Sequence, residues 1–188
     1  MSKRLSTIQI IELFDQAGNA LYGGEAITQT EHALQTAWQA EQSGGDDALV
    51  IACLLHDLGH MLCQQSDHEL VEGKDDLHQL RVLPYLRGLV PSTVIETIRL
   101  HVDAKRYLCQ SDPSYSAALS DASRMSMALQ GGVMDSAEAS AFIAKPQAAQ
   151  ALALRRYDDA AKVRGLVVPP LAHYLHRLNR MIAKTAAT

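Results

Sequence analysis

The sequence has no run of basic residues and no long apolar segment. Its 188 residues carry 17 Lys and Arg against 21 Asp and Glu, which gives a formal net charge of -4. This balance offers no electrostatic reason to bind nucleic acid or an anionic membrane surface. The N-terminal apolar stretch is broken by Glu12 and Asp15, and a membrane span needs about 18 or more apolar residues in a row. We therefore expect no membrane segment, no nucleic-acid partner and a cytoplasmic location.

Cysteine is also scarce. The three cysteines, Cys53, Cys63 and Cys109, are odd in number and match no C-x-x-C spacing. Thiolate metal sites and disulfide frameworks normally show close pairs or an even count. We interpret these residues as reduced structural thiols.

Runs of β-branched residues are few, whereas Ala, Leu, Gln and Glu are abundant. Helical periodicity therefore dominates, and it predicts an all-α fold. The composition is that of an ordinary globular protein, with 47% hydrophobic and 20% charged residues. Neither an internal repeat nor a low-complexity linker divides the chain, so we predict a helical bundle that forms a single domain over residues 1–188.

Capping residues and helix breakers place the predicted helices. The capping-box pattern Thr28-x-x-Glu31 predicts a helix that runs to the glycines beginning at Gly44. Asp46 or Asp47 is expected to cap the apolar helix that follows. Further helices are predicted over 3–20, from Ser92 onward, and over about 115–129, 135–163 and 170–184, with 74–89 helical but interrupted at Pro84.

Histidine and aspartate occur where apolar residues dominate. In LLHDLGHML (54–62), His56, Asp57 and His60 lie among leucines and methionine, and a buried aspartate needs a compensating partner. On a helix the side chains of His56 and Asp57 would point about 100° apart, so they could not bind one metal ion in an equivalent way. The two oxygens of a carboxylate can bridge two cations, and this geometry favours a site with two metal ions. The other candidates in helical segments are His32, His78, His101 and Asp158. Imidazole and carboxylate without thiolate suit iron, manganese, zinc or nickel alike.

The order H…HD…H…H…D resembles the HD-domain superfamily of metal-dependent phosphohydrolases and oxygenases over nearly the whole chain. A narrower resemblance is to the di-iron oxygenases that cleave 2-amino-1-hydroxyethylphosphonate, which are relatives of myo-inositol oxygenase. It rests on YGGEAITQTEHALQ (22–35), CLLHDLGH (53–60), HVDAKRYL (101–108), LSDASR (119–124), QGGVMD (130–135) and RRYD (155–158). The resemblance implies an HD-domain helical bundle, two iron ions in a mixed-valent Fe(II)/Fe(III) state and dioxygen as co-substrate. It also implies a small organophosphonate substrate, with phosphate and a carboxylic acid such as glycine as products.

The resemblance also assigns residues to roles. One iron would be held by His32, His56, Asp57 and Asp158, and the other by Asp57 with His78 and His101. The substrate contacts would be Tyr22, Glu25, His60, Lys105, Ser123, Ser126 and Arg155, with His60 and Lys105 as catalytic candidates. The family is expected to carry threonine at position 126, so Ser126 keeps the hydroxyl and loses the methyl. Tyr22 and Glu25 would belong to a loop that closes over the substrate.

Helical spacing agrees with these roles, because residues three or four apart share a helix face. The pairs are His56 and His60, His101 and Lys105, and Arg155 and Asp158. Each candidate ligand would thus have an anion contact one turn away. Taken singly, each residue has a simpler explanation. Lys105 and Arg155 would lie on a solvated helix face, and Ser123 and Ser126 on a polar one. His32 and His78 would be ordinary core or surface histidines. Tyr22 would be a partly buried anchor, and Glu25 would belong to a turn.

Two other functions remain open. In a phosphohydrolase, metal-activated water would attack a phosphate ester with help from His60 or Lys105. The histidines His78 and His101 and the matching segments argue against it. A metal-stabilised binding module without catalysis would be expected to have lost a ligand, and none of the expected ligands is missing. The sequence does not choose among amine substituents on the substrate or among oligomeric states.

Overall fold

Helices form the whole architecture of the described chain. A computed structural model describes residues 4–63 and 75–187. The helices are α1 (Thr7–Ala17), α2 (Gln29–Gln42), α3 (Asp47–Leu55), α4 (Leu58–Cys63), α5 (His78–Arg81), α6 (Leu83–Leu86), α7 (Ser92–Ser111), α8 (Pro113–Ala118), α9 (Asp121–Leu129), α10 (Ser136–Ile143), α11 (Ala148–Ala160) and α12 (Leu171–Ala186). Extended pairing within these ranges is limited to two isolated bridges. The prediction of an all-α fold is confirmed.

The predicted helix starts agree with the structure where a capping residue is present. The Thr28 hydroxyl accepts a hydrogen bond from the Glu31 N–H (3.1 Å), and the Glu31 carboxylate accepts one from the Thr28 N–H (2.7 Å). Asp46, rather than Asp47, caps α3 by accepting from the Leu49 N–H at 2.8 Å. The first helix is shorter than 3–20, because Ser6 caps its start. Residue 3 lies outside the described residues.

Two predicted long helices are divided. The segment 115–129 becomes α8 and α9, because Ser120 caps a new helix by accepting from the Ser123 N–H. The segment 135–163 is split at 144–147, where Pro146 cannot donate a backbone hydrogen bond. Residues 78–86 form only α5 and α6, with Pro84 in the first turn of α6. Lys74, where this helical stretch was predicted to begin, lies outside the described residues.

The His-Asp pair is not inside a helix. Helix α3 ends at Leu55 and α4 begins at Leu58, so His56 and Asp57 form the two-residue junction between them. The prediction that both residues lie on one helix, with His60 one turn further along it, is wrong. The His60 N–H bonds to the Asp57 carbonyl at 3.0 Å, so the chain turns tightly here. The pair is therefore held at the carboxyl end of α3.

Helix α3 is the centre of the core. Every residue from Leu49 to Leu55 is buried, as expected for a helix that is apolar on all sides. Helices α2, α7 and α11 pack against α3, and α11 also packs along α2 and α7. Cys53 and Cys109 are buried free thiols, as their spacing predicts, and the side chain of Cys63 lies outside the described residues. No helix in the described part of the chain has the length and apolar character needed to cross a bilayer.

Candidate metal and substrate site

The core helices and their connections bring all six candidate metal ligands together. Each of these side chains is buried. They are His32 on α2, His56 and Asp57 at the α3–α4 junction, His78 at the start of α5, His101 on α7 and Asp158 on α11. Residues that are up to 126 positions apart in sequence therefore meet at one point in the core.

The first cluster consists of His32, His56, Asp158 and one oxygen of Asp57. The Nε2 atoms of His32 and His56 are 3.3 Å apart. His32 Nε2 lies 3.3 Å from Asp158 Oδ1 and 3.5 Å from Asp57 Oδ2, and His56 Nε2 also lies 3.3 Å from Asp57 Oδ2. Ligands about 2.0 to 2.2 Å from a shared ion lie roughly 3 to 4 Å from one another. These separations suit a single metal ion.

The second cluster surrounds the other oxygen of Asp57. The Nε2 atoms of His78 and His101 are 3.1 Å apart, and they lie 3.3 and 3.7 Å from Asp57 Oδ1. His60 Nε2, assigned by the resemblance to the substrate, also approaches this oxygen at 3.9 Å. The two oxygens of Asp57 thus face different histidine pairs, which is the arrangement of a carboxylate shared by two ions.

The hydrogen bonds of the imidazoles show why cations fit between them. A neutral imidazole has one N–H, and in three of these histidines Nδ1 donates it to a backbone carbonyl. These bonds run from His32 to Ala161 (2.9 Å), from His56 to Cys53 (2.8 Å) and from His101 to Ile98 (2.7 Å). The Nε2 lone pairs therefore face one another and the carboxylates, and among the described residues neither oxygen of Asp57 has a hydrogen-bond donor. Lone pairs this close repel unless a cation lies between them.

Charge effects agree with this geometry. Burial opposes ionisation of Asp57, but the imidazoles of His56 and His32 outweigh it and hold the pKa of Asp57 well below its usual value. Burial likewise opposes ionisation of Asp158, and Arg155 reverses the effect, so that its pKa is also well lowered. At His32, burial disfavours the imidazolium, yet the carboxylates of Asp158 and Asp57 raise its pKa to about 9. Without a metal, a proton on Nε2 would therefore supply the positive charge at this position, and a bound metal ion would displace it. The site carries two buried negative charges and draws in positive charge.

Asp76 orients two of the histidines, and sequence reasoning missed it. Its two oxygens accept hydrogen bonds from Nδ1 of His78 at 2.7 Å and Nδ1 of His60 at 2.8 Å. The two imidazole rings stack, with centroids 4.1 Å apart. A carboxylate behind a metal-binding histidine fixes its tautomer and ring orientation. The D-x-H spacing of Asp76 and His78 was the available signal.

A cavity of about 510 Å³ adjoins the two clusters. Its lining includes all of the residues that the resemblance assigns to the substrate, namely Tyr22, Glu25, His60, Lys105, Ser123, Ser126 and Arg155. It also includes Asp57, His78, His101 and Asp158, whereas His32 and His56 are not among its lining residues. One cavity therefore joins the candidate ligands to the candidate substrate contacts.

Lys105 is buried in this cavity and does not lie on a solvated face. It is 3% exposed, and its amine donates a hydrogen bond to the Ser126 hydroxyl at 2.9 Å. Burial and the nearby Arg155 lower the pKa of Lys105 to about 7. An anion in the cavity would favour its protonated form.

Arg155 is buried as well, at 5% exposure, and three neighbours hold it. Its Nη1 pairs with Asp158 Oδ2 at 2.7 Å, and its Nε donates to the Tyr115 hydroxyl at 3.1 Å and to Asp159 Oδ2 at 3.0 Å. Its Nη2 also contacts Asp159. The guanidinium is therefore fixed between a candidate metal ligand and the cavity, through Tyr115 and Asp159, which the sequence did not indicate.

Lys162 is a third cation of the cavity and was also missed. Its amine donates to the Ser123 hydroxyl at 3.0 Å and pairs with Glu25 Oε1 at 3.2 Å. It follows Asp158 by four positions, the same spacing as His101 and Lys105, which was the signal that could have found it. Opposite it, the Tyr22 ring stacks on His32 with centroids 3.7 Å apart.

The chain belongs to the HD domain family, whose model matches residues 30–129. It is 37% identical over 172 residues to the 1-hydroxy-2-(trimethylamino)ethylphosphonate dioxygenase (glycine-betaine-forming) of Leisingera caerulea, covering 92% of this chain and 88% of the relative. It is 43% identical over 168 residues to the hydroxymethylphosphonate dioxygenase of Gimesia maris, covering 88% of this chain and 82% of that relative. An uncharacterized protein of Acanthamoeba polyphaga mimivirus is 34% identical over 168 residues, covering 88% of this chain and 76% of that protein. The predicted family and the prediction of an enzyme are confirmed, whereas the organisation as one domain over 1–188 stays a prediction.

Proposed function

We propose that this protein is a metal-dependent dioxygenase that breaks the carbon–phosphorus bond of a small 1-hydroxyphosphonate. The observation that carries the proposal is the position of Asp57. Each of its oxygens faces one histidine pair, and it lines the same cavity as the cations Lys105 and Arg155. The names of two similar proteins, both dioxygenases of hydroxylated phosphonates, support the same reaction class.

In this proposal two iron ions bind at the paired clusters. His32, His56, Asp57 and Asp158 hold one ion, and Asp57, His78 and His101 hold the other. In a mixed-valent Fe(II)/Fe(III) state the ions supply the redox chemistry that dioxygen requires, and the protein supplies orientation and electrostatics. The buried, pre-oriented Nε2 atoms support this assignment, because little rearrangement is needed to place them around a cation.

His60 is suited to act on the substrate beside the metals. Its Nδ1 donates to Asp76, which leaves the Nε2 lone pair directed toward the Asp57 cluster at 3.9 Å. A substrate hydroxyl placed between them can donate a hydrogen bond to this nitrogen. His60 would thus orient the hydroxyl and receive its proton.

The phosphonate is proposed to lie against Lys105, Arg155, Ser123 and Ser126. Cationic donors bind such an anion through short charge-assisted hydrogen bonds. Lys105 and Arg155 are each one helical turn from a candidate ligand, His101 and Asp158. Phosphonate binding therefore fixes C1 next to the metal clusters, and positioning of this kind contributes strongly to rate.

The reaction balances with dioxygen alone. The C1–H and C1–P bonds of the 1-hydroxyphosphonate dianion break, and dioxygen is reduced as both of its atoms enter the products. C1 leaves in a carboxylate, phosphorus leaves as inorganic phosphate, and one proton is released. One dioxygen is consumed for each phosphate formed.

The proposal is tested with iron-loaded protein and hydroxymethylphosphonate, measuring phosphate release and oxygen consumption together. We expect equal amounts of the two, no phosphate release under anaerobic conditions, and no reaction of methylphosphonate, which lacks the 1-hydroxyl. Anaerobic hydrolysis of a phosphate monoester, with no activity on any 1-hydroxyphosphonate, would instead assign the site to a phosphohydrolase.

A further inference from the structure

His32 is oriented differently from the other candidate histidine ligands. In the other three, the acceptor of the Nδ1 hydrogen bond lies two or three positions earlier in the chain, so local geometry supplies it. The acceptor of His32 is the carbonyl of Ala161, which is 129 positions away. The orientation of His32 therefore depends on how the chain is held after α11 ends at Ala160.

The side chain of Gln35 binds this segment. Gln35 lies one turn after His32 on α2 and is fully buried. Its Nε2 donates to the Val163 carbonyl at 2.8 Å, and its Oε1 accepts from the Val163 N–H at 3.0 Å. Because the backbone of Val163 offers one donor and one acceptor, these two bonds also fix the orientation of the amide. Two side chains on one face of α2 thus bind the chain at positions 161 and 163.

The segment has little else to fix the direction of the Ala161 carbonyl. On one side the Ala161 N–H bonds to the Asp158 carbonyl at 3.2 Å. On the other side the Val163 side chain is 49% exposed, and residues 164–165 are exposed as well, so burial of these side chains holds the chain weakly. The buried amide of Gln35 is therefore the contact that ties this end of the segment to the core.

We propose that Gln35 is a positioning residue for the first metal cluster. By fixing residues 161–163, it keeps the Ala161 carbonyl where it accepts from His32 Nδ1, and His32 Nε2 is then directed at the ion. This inference rests on the two-ion part of the proposed function and not on the reaction. His78 and His101 have local acceptors, so loss of Gln35 should weaken the binding of one ion and spare the other.

The test measures Zn²⁺ binding to the full chain, because zinc suits imidazole and carboxylate ligands and has no redox chemistry. Competition with a chromogenic chelator gives a dissociation constant for each ion. We expect the wild type to bind two ions. Gln35→Met keeps the length of the side chain without its hydrogen bonds, and it should raise one constant by about tenfold or more and leave the other unchanged.

Thr36→Val is the matched control. Thr36 is also fully buried on α2, and its hydroxyl donates to the His32 carbonyl at 2.8 Å. The variant therefore removes a buried hydrogen bond from the same helix and leaves the contact with Val163 intact. Both zinc constants should remain those of the wild type.

The imidazole signals of the zinc-loaded protein in NMR spectra identify the affected cluster. The Nδ1–H proton of His32 should exchange slowly with water in the wild type and lose this protection in Gln35→Met, whereas that of His101 should keep it. Gln35→Asn retains an amide that ends one methylene short of Val163. It should show the same loss of protection even if the methionine variant folds poorly.

Three outcomes would overturn the inference. Unchanged zinc constants in both Gln35 variants would overturn it and leave the metal site standing. Equal weakening of both ions, with loss of protection at His101 as well as at His32, would show that Gln35 supports the fold as a whole. A wild type that binds fewer than two ions would overturn the two-ion part of the proposed function together with this inference.

Discussion

Among single residues, Lys105 is expected to make anion binding depend on pH. Its pKa is lowered to about 7 by burial and by Arg155, and only the protonated amine attracts an anion. Sulfate keeps its double charge through the neutral range, so its affinity should be constant below this pKa. It should then fall, approaching tenfold per pH unit, as the pH rises above it. The measurement is the competitive inhibition constant of sulfate from about pH 6 to 9. Bound metal cations would lower the pKa of Lys105 further and start the fall earlier.

Two variants at the same position serve as controls. Lys105→Arg keeps a charge that does not titrate near neutrality, so sulfate inhibition should lose its pH dependence there. Lys105→Ala should raise KM and lower kcat together, because a substrate displaced by about 1 Å can react ~10²-fold more slowly. Inhibition by sulfate that does not vary with pH in the wild type would contradict this role for Lys105.

Asp76 is predicted to control metal affinity without binding the metal. Asp76→Asn retains only one acceptor oxygen, so His60 and His78 can no longer both be oriented by it. Loss of such a partner typically lowers metal affinity by about 10- to 100-fold, which chelator competition with iron would measure. Asp75→Asn is the matched control, because Asp75 accepts from the Leu77 N–H at the same wall of the cavity. Equal affinity of the Asp76 variant and the wild type would exclude this role.

Among the elements, helix starts could be predicted from sequence, whereas several breaks could not. Thr28 and Asp46 cap their helices because capping is a local interaction. The junction at His56 and Asp57 was missed because the apolar pattern continues through it, without proline or a glycine in a turn conformation. There the packing of the surrounding helices, rather than local propensity, decides where the chain turns.

The residues of the candidate site also fall into those that could be predicted from sequence and those that could not. The six candidate ligands stood out because polar residues inside apolar helical segments are conspicuous, and the family resemblance grouped them. Asp76 and Lys162 lie outside the helices, although the sequence pattern predicts helix at both positions, and their roles arise only when distant segments meet. Tyr115 was an ordinary helical residue in the sequence, and its contact with Arg155 spans 40 positions.

The close approach of α4 to α5 is expected to require glycine at position 59. A Cβ added there would lie 2.2 Å from the His78 carbonyl oxygen, so Gly59→Ala must push His78 away from Asp57. We expect a loss of about 1 to 3 kcal/mol in unfolding free energy, together with reduced iron content. Gly44→Ala is the comparison, because its Cβ would meet open space and only its backbone (φ +76°) would be strained. That variant should lose stability but keep its iron, and normal iron content in Gly59→Ala would contradict the steric argument.

For the molecule as a whole, the candidate metal site also connects the helices of the core. Helices α2, α3, α7 and α11 form the packed core, and each holds a candidate ligand or ends at one. Asp57 and Asp158 are 3% and 1% exposed. Arg155 pairs with Asp158, but a buried charge at Asp57 that has no cation beside it is strongly unfavourable. Metal ions at these clusters would therefore stabilise the packing of the whole helical core as well as supply reactivity.

Removing the metal should consequently lower the thermal stability of the entire protein. A ligand present at about 100 times its Kd stabilises the native state by about 2.7 kcal/mol, and each kcal/mol shifts Tm by roughly 2 to 4 °C in a chain of this size. We expect a strong chelator to lower Tm by at least about 5 °C in calorimetry. Asp46→Ala, which removes a helix cap at the far end of α3 and costs about 1 kcal/mol, should lower Tm similarly with and without chelator. Asp57→Ala should abolish the effect of the chelator, because it removes the carboxylate common to both clusters. A wild-type Tm that does not change on chelation would show that the core packs without the metal.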